Sequence, residues 1–197
     1  IDVLQWFVGM PVKVRAHCAF GKYHDIEVED EVIASFEFAN GATGQFTAGT
    51  GECPGTNRLE IVGDCGTIIT DGNEVKLIRT SPSVSAFSKS TDEMFGTPEI
   101  TEEIFQPLEA VNQHAAILNN VVKAACGEAE LIAPAAEGLN SLELAGAMIY
   151  STWINDAVTL PLDAAAYEHA IQEKIAQSKP RKVIQTEARI DMSKSYR

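Results

Sequence analysis

Apolar and polar positions alternate along the first half of the chain and step by three and four along the second. Residues 1–8 place Ile1, Leu4 and Val8 on one side, with Gly9 and Pro11 as stop signals, so a short helix is predicted there. From 12 to 20, Val12, Val14, Ala16, Cys18 and Phe20 alternate with Lys13, Arg15 and His17. That period of two predicts a half-buried strand. Residues 26–38 repeat it, with Ile26, Val28, Val32, Ala34, Phe36 and Phe38 on one face and Glu27, Glu29, Glu31, Ser35 and Glu37 on the other. Asn40-Gly41 then predicts a type I′ hairpin turn, and Ala42, Gly44, Phe46 and Ala48 the return strand. After the loop 49–57, segments 58–63, 67–70 and 74–79 read as three short strands of an antiparallel meander. The Ser-, Thr- and Pro-rich stretch 80–100 reads as an irregular connection.

In the second half, Ile104, Leu108, Val111, Ala115, Leu118, Val122 and Ala125 predict one long helix ended by Gly127. A second helix follows Pro134, with Leu139, Leu142, Ala145, Ile149 and Trp153 on its apolar side. Its small patch Ala145-Gly146-Ala147 suits a close backbone approach. A third helix runs from an Asp163 cap to about Ser178, stopped by Pro180. Strands first and helices second give an α+β class: a largely antiparallel, open-faced β-sheet with helices packed on one face. The uncovered face favours pairing with a second copy.

Composition narrows the function classes. The chain has 197 residues, 45% of them hydrophobic, which excludes disorder as the default. No apolar run reaches the roughly 18 residues of a membrane span, and no secretory signal opens the chain. The net charge of −13 argues against nucleic acid and against an anionic membrane surface. The charge is uneven: residues 179–197 hold six basic and two acidic residues, so this tail is about +4 and the body about −17. The tail is expected to lie on its own acidic body or on a neighbouring subunit. Cys18, Cys53, Cys65 and Cys126 show no C-x-x-C spacing, and read as reduced, mostly buried thiols of a cytoplasmic protein.

Few residues assemble chemistry by spacing alone. Gly49-x-Gly51-x-x-x-Gly55 lacks the following helix that a dinucleotide loop needs, so these glycines read as a turn. His17 and Cys18 are adjacent on a strand and point to opposite faces, which argues against a shared metal; His24-Asp25 reads as a solvated loop pair. A metal-dependent hydrolase built on His17, His24 and Asp25 is a remote alternative. The Glu27, Glu29, Glu31 and Glu37 row reads as a solvated face or as partners of Lys13 and Arg15. His114 and His169 lie on helices without a spaced partner.

Three segments come in a recognisable order: VEDEVIASFEFANGATGQF (28–46), RLEIVGDCGTIIT (58–70) and GLNSLELAGAMIYSTWINDAVTLPL (138–162). With Asp30, Asn40-Gly41-Ala42 and Gly44, Gly63 and Gly66, Gly127 and Glu137-Gly138, this set resembles the C-terminal domain of the Gfo/Idh/MocA oxidoreductases. The resemblance covers nearly all of residues 1–178, and the opening IDVLQWFVG resembles the helix after the family's catalytic His, with Asp2 as the Asp that follows it. The uncapped start and the missing initiator Met are then expected of a fragment whose nucleotide-binding domain lies outside this sequence.

What the resemblance implies is specific. Residues 1–178 would be a substrate-binding and oligomerisation domain, followed by the basic tail 179–197. The whole protein would be an NAD(P)-dependent sugar or polyol dehydrogenase, with NAD or NADP held by the missing domain and none by this chain. The isolated chain, lacking the family's catalytic Lys and His, would be inactive. Partners would be a sugar or polyol and further copies of the chain, joined through the sheet face, in the cytoplasm. Loops 20–25 and 49–57 would face substrate, making Tyr23, His24, Glu52 and Asn57 the candidate binding residues. The competing expectation is a non-enzymatic dimerisation or small-ligand-binding module on the same fold.

Overall fold

The computed structural model describes residues 1–71, 74–106 and 112–179. In chain order the elements are helix α1 (Asp2–Val8) and strands β1 (Lys13–Phe20), β2 (Glu29–Glu37), β3 (Thr43–Gly49), β4 (Leu59–Gly63), β5 (Gly66–Thr70) and β6 (Val75–Ser81). Then come α2 (Val84–Ser90), β7 (Glu99–Phe105), α3 (Gln113–Ala125), α4 (Gly138–Ile154), β8 (Val158–Thr159) and α5 (Ala164–Gln177). The class is α+β, and every strand pair is antiparallel. The strands fall into two four-stranded sheets, ordered β3-β2-β1-β8 and β4-β5-β6-β7.

The first sheet carries the core. Its register opposes Val14 to Phe36 and Ala16 to Ala34, so the even-numbered residues of β1 and β2 share one face. That face meets α4, and Val14, Cys18, Ala34, Phe36, Leu144, Ala147, Met148 and Val158 are buried together. Ile1 and Leu4 of α1 pack against the same cluster. The opposite face carries Lys13, Arg15, His17, Ile33, Gln45 and Thr47, and Ile33 is 52% exposed. On it Lys13 reaches Glu37 at 3.4 Å, as the sequence suggests, whereas Arg15 pairs with Asp156 at 3.5 Å and not with a strand glutamate.

Helix α4 also completes the sheet. Strand β8 pairs with β1 only at Lys13 and Val14, so the N–H groups of Ala16 and Cys18 on that side have no strand partner. The Ser151 and Thr152 hydroxyls of α4 accept them, each at 2.9 Å. These hydroxyls explain why the buried side of α4 differs from the predicted one. Leu144, Ala147, Met148 and Ser151 face the sheet, while Leu139 and Leu142 are 63% and 70% exposed. The apolar count alone favoured the leucines; the strand needs the hydroxyls. The neighbour at Gly146 is the Tyr167 ring and not a backbone: an added Cβ would lie 3.1 Å from that ring.

Other differences have local causes. The hairpin after β2 is closed by the Gly41 N–H donating to the Phe38 carbonyl, with Gly41 at φ +85°. Asn155 is the only non-glycine at positive φ among the described residues, so Asn40 is not in the left-handed region a type I′ turn requires. Asn40 instead caps the turn, its Oδ1 accepting the Ala42 N–H at 3.0 Å. The stretch 80–100 is not irregular throughout. Ser83 caps α2, and Asp64 accepts both the Ser85 N–H and the Ser85 hydroxyl at 2.7 Å, tying α2 to the β4–β5 turn. Ile104 belongs to β7, opposite Lys76, and not to a helix; α3 starts after an Asn112 cap, and Leu108 and Val111 lie outside the described residues. The rest of the predicted stripe is exposed, Leu118 at 66% and Val122 at 62%. Gly127, at φ +75°, ends α3 as read. Helix α5 keeps its Asp163 cap, which accepts from the Ala165 and Ala166 N–H groups. Tail residues 180–197 lie outside the described residues.

The thiols are mostly exposed, contrary to the sequence reading: Cys18 is buried, but Cys53, Cys65 and Cys126 are not. Polar turns hold the last three at the surface. Among the described residues, no helix is long and apolar enough to cross a membrane.

Candidate functional site: a cleft beside two tied loops

Strand β3 and the loop after it border an open cleft of about 530 Å³. Polar side chains on its lining include Gln45 and Thr47 of β3 and Glu52, Thr56, Asn57 and Arg58 of the loop, while Ile1 and Leu4 supply an apolar side. Alternation along β3 turns Gln45 and Thr47 away from the core face that holds Phe46. Arg58 is held by Glu60 at 2.6 Å. Two of the four candidate residues, Glu52 and Asn57, therefore share one cleft.

The other two are held differently. The Tyr23 ring lies over Gly51 so closely that an added Cβ there would come within 2.5 Å of it. The Tyr23 hydroxyl donates to Glu31 Oε2 at 2.5 Å, and Lys22 Nζ sits 2.6 Å from the same oxygen. These bonds hold the Glu31 carboxyl below its ordinary range, Lys22 contributing most. His24 Nδ1 lies 3.1 Å from Thr50 Oγ1 and 3.5 Å from Asp30 Oδ2. His24 is on a solvated loop, as the sequence suggests, its side chain 49% exposed, and these two contacts tie it there. Because Asp30 and Thr50 meet the same ring nitrogen, the three do not form a relay from carboxylate through imidazole to hydroxyl.

The acidic row is likewise divided among separate tasks. Register shifts between Ala19 and Phe20, so that Ala19 opposes Glu31 and Phe20 opposes Glu29. Asp30 is the extra residue of this bulge. Glu27 accepts from the Ser178 hydroxyl at 2.5 Å and the Lys179 N–H at 3.3 Å, joining the end of α5 to the loop. Burial pushes the Cys18 thiol above its ordinary value, against a bond from Thr152 and with Glu29 adding to the rise. His17 and Cys18 do point to opposite faces, His17 beside Ile33 and Cys18 into the core. His169 pairs with Glu173 at 3.3 Å on α5. Among the described residues, no group of three or more His, Cys, Asp or Glu is placed to hold a metal ion.

A family model described as "Oxidoreductase family, C-terminal alpha/beta domain" matches residues 1–160. The chain belongs to the Gfo/Idh/MocA oxidoreductase family. Its matched part is the C-terminal domain, in agreement with the resemblance read from Asp30, the 40–44 hairpin and the 138–162 helix. Among solved structures, the WlbA dehydrogenase from Bordetella pertussis, in complex with NADH and UDP-GlcNAcA, is 26% identical with a TM-score of 0.51; the match covers 82% of this chain and 42% of that one. Levoglucosan dehydrogenase in complex with NADH and levoglucosan shares the fold at 18% identity and TM-score 0.62, covering 82% of this chain and 48% of that one. Aldose-aldose oxidoreductase from Caulobacter crescentus, complexed with glycerol, shares it at 20% identity and TM-score 0.58, over 81% and 44%. This chain therefore spans less than half the length of these structures. No curated protein matches it.

The glycine-containing loop 49–55 does not fit a dinucleotide. It runs on into strand β4, so no helix N-terminus follows to meet a pyrophosphate.

Proposed function

We propose that this chain is the substrate-binding and oligomerisation domain of an NAD(P)-dependent, cytoplasmic sugar or polyol dehydrogenase. The observation that carries the reading is the family match over residues 1–160. The cleft supports it: at about 530 Å³ it falls in the usual range for small-molecule sites. A sugar hydroxyl is both donor and acceptor. Asn57 and Thr56 offer both, and Glu52 accepts. The molecules bound to similar structures support the same reading, since one was solved with UDP-GlcNAcA and another with levoglucosan. The nicotinamide and the groups that move the hydroxyl proton belong, in this reading, to the rest of the protein. The outer face of the first sheet, with Ile33 exposed among polar neighbours, is the face proposed to meet a second copy.

The test is a nicotinamide absorbance assay with a panel of sugars, polyols and nucleotide sugars. The complete gene product should turn over at least one of them, and the 197-residue chain none. Turnover by the isolated chain, or none by the complete product, contradicts the reading.

A further inference from the structure

The two loops beside the cleft are joined at one residue. The Asp30 side chain is wholly enclosed. Its Oδ1 accepts the Lys22 N–H at 3.0 Å, and its Oδ2 accepts the Tyr23 N–H at 2.7 Å and the His24 N–H at 3.0 Å. Three successive backbone donors thus converge on one carboxylate, which replaces the strand pairing that this loop lacks. The Asp30 carbonyl binds the other loop, accepting from the Thr50 N–H at 3.0 Å and the Thr50 hydroxyl at 3.3 Å.

The pinned loop also supports the cleft edge. Tyr23 covers Gly51, and His24 meets Thr50. The next residue, Glu52, lines the cleft. A loop pinned only for its own stability needs neither contact. We propose that Asp30 is a positioning residue for substrate: its carboxylate sets Lys22–His24, and these residues hold the Thr50–Gly51 edge from which Glu52 enters the cleft. The inference rests on the substrate-domain reading above. Asp30 itself is enclosed and acts only through its neighbours.

Asp30→Asn, made in the complete gene product, tests this by the split between constants. The KM for the sugar or polyol should rise about tenfold, with kcat and the KM for nicotinamide within about threefold of wild type. Gly51→Ala is the second variant. It leaves Asp30 intact and drives the Tyr23 ring off the edge, so the sugar KM should rise in the same direction even if Asp30→Asn does not fold. An unchanged sugar KM in Gly51→Ala overturns the proposal. So does an Asp30→Asn protein whose activity falls only with its folded fraction. In both cases wild-type turnover leaves the functional reading standing. Failure of the wild-type product to turn over any sugar or polyol removes that reading, and the proposal with it.

Discussion

The Ser151 hydroxyl stands between a helix and a strand: it accepts the Ala16 N–H at 2.9 Å and donates to the Asp156 carbonyl at 2.6 Å. Ser151 is 1% exposed, so no water replaces it. Ser151→Ala should leave the Ala16 N–H buried and unpaired, and cost about 1–3 kcal/mol. Urea unfolding followed by circular dichroism checks this. A variant as stable as wild type would mean that β1 finds another acceptor there.

Thiol labelling should divide the cysteines. Cys53, Cys65 and Cys126 are exposed, whereas Cys18 is buried with its thiol pushed up by that burial. The reactive species is the thiolate. Native 197-residue chain should add three labels quickly and the fourth only on unfolding, read by mass spectrometry. Four fast labels would contradict the placement of Cys18 in the core.

Two glycines should differ sharply. Gly41 has positive φ and open space around its missing Cβ, so Gly41→Ala carries only backbone strain, about 1–2 kcal/mol. At Gly66, φ is +142° and an added Cβ would overlap the Ile78 carbonyl. Gly66→Ala should cost about 3 kcal/mol or more, since overpacking adds to strain. Thermal unfolding of both variants is the check. Equal losses would show that the β5–β6 contact yields more easily than its geometry implies.

Acid should weaken the Asp30 tie. Burial raises this carboxyl, but the Tyr23, Lys22 and His24 N–H bonds outweigh it and hold it below the ordinary carboxylate value. A carboxyl depressed in the folded state contributes its stability above its unfolded value, about pH 3.9, and loses it as pH falls through the folded value. The stability gap between wild type and Asp30→Asn should therefore be full at pH 6 and shrink below about pH 4. A gap independent of pH would mean that the charge on Asp30 does not matter to the loop.

Period and punctuation made much of this fold legible. The β1 alternation, the β2 alternation within Glu29–Glu37, the Gly127 stop and the Asp163 cap appear as read, whereas Ile26 and Val28, read onto the buried face of β2, lie before the strand and are exposed. What stayed hidden depends on partners distant in sequence. Ile104 fitted a helical spacing toward Leu108, but pairing with Lys76 places it in a strand. Leu139 and Leu142 outweighed Ser151 in an apolar count, because nothing local reveals that Ala16 and Cys18 lack a strand neighbour. Loop position and polarity put Glu52 and Asn57 forward as candidates, and both line the one cleft. Asp30 was visible as part of the family resemblance, but its three donors come from the loop before the bulge, and neither period nor motif announces them.

The central claim is that this domain supplies the substrate side of a two-substrate enzyme. Its most direct test is steady-state kinetics of Glu52→Gln and Asn57→Ala in the complete gene product, with sugar and nicotinamide varied independently. The account predicts a sugar KM raised about tenfold in each variant, with the nicotinamide KM unchanged. An unchanged sugar KM, or a loss confined to nicotinamide, would contradict it.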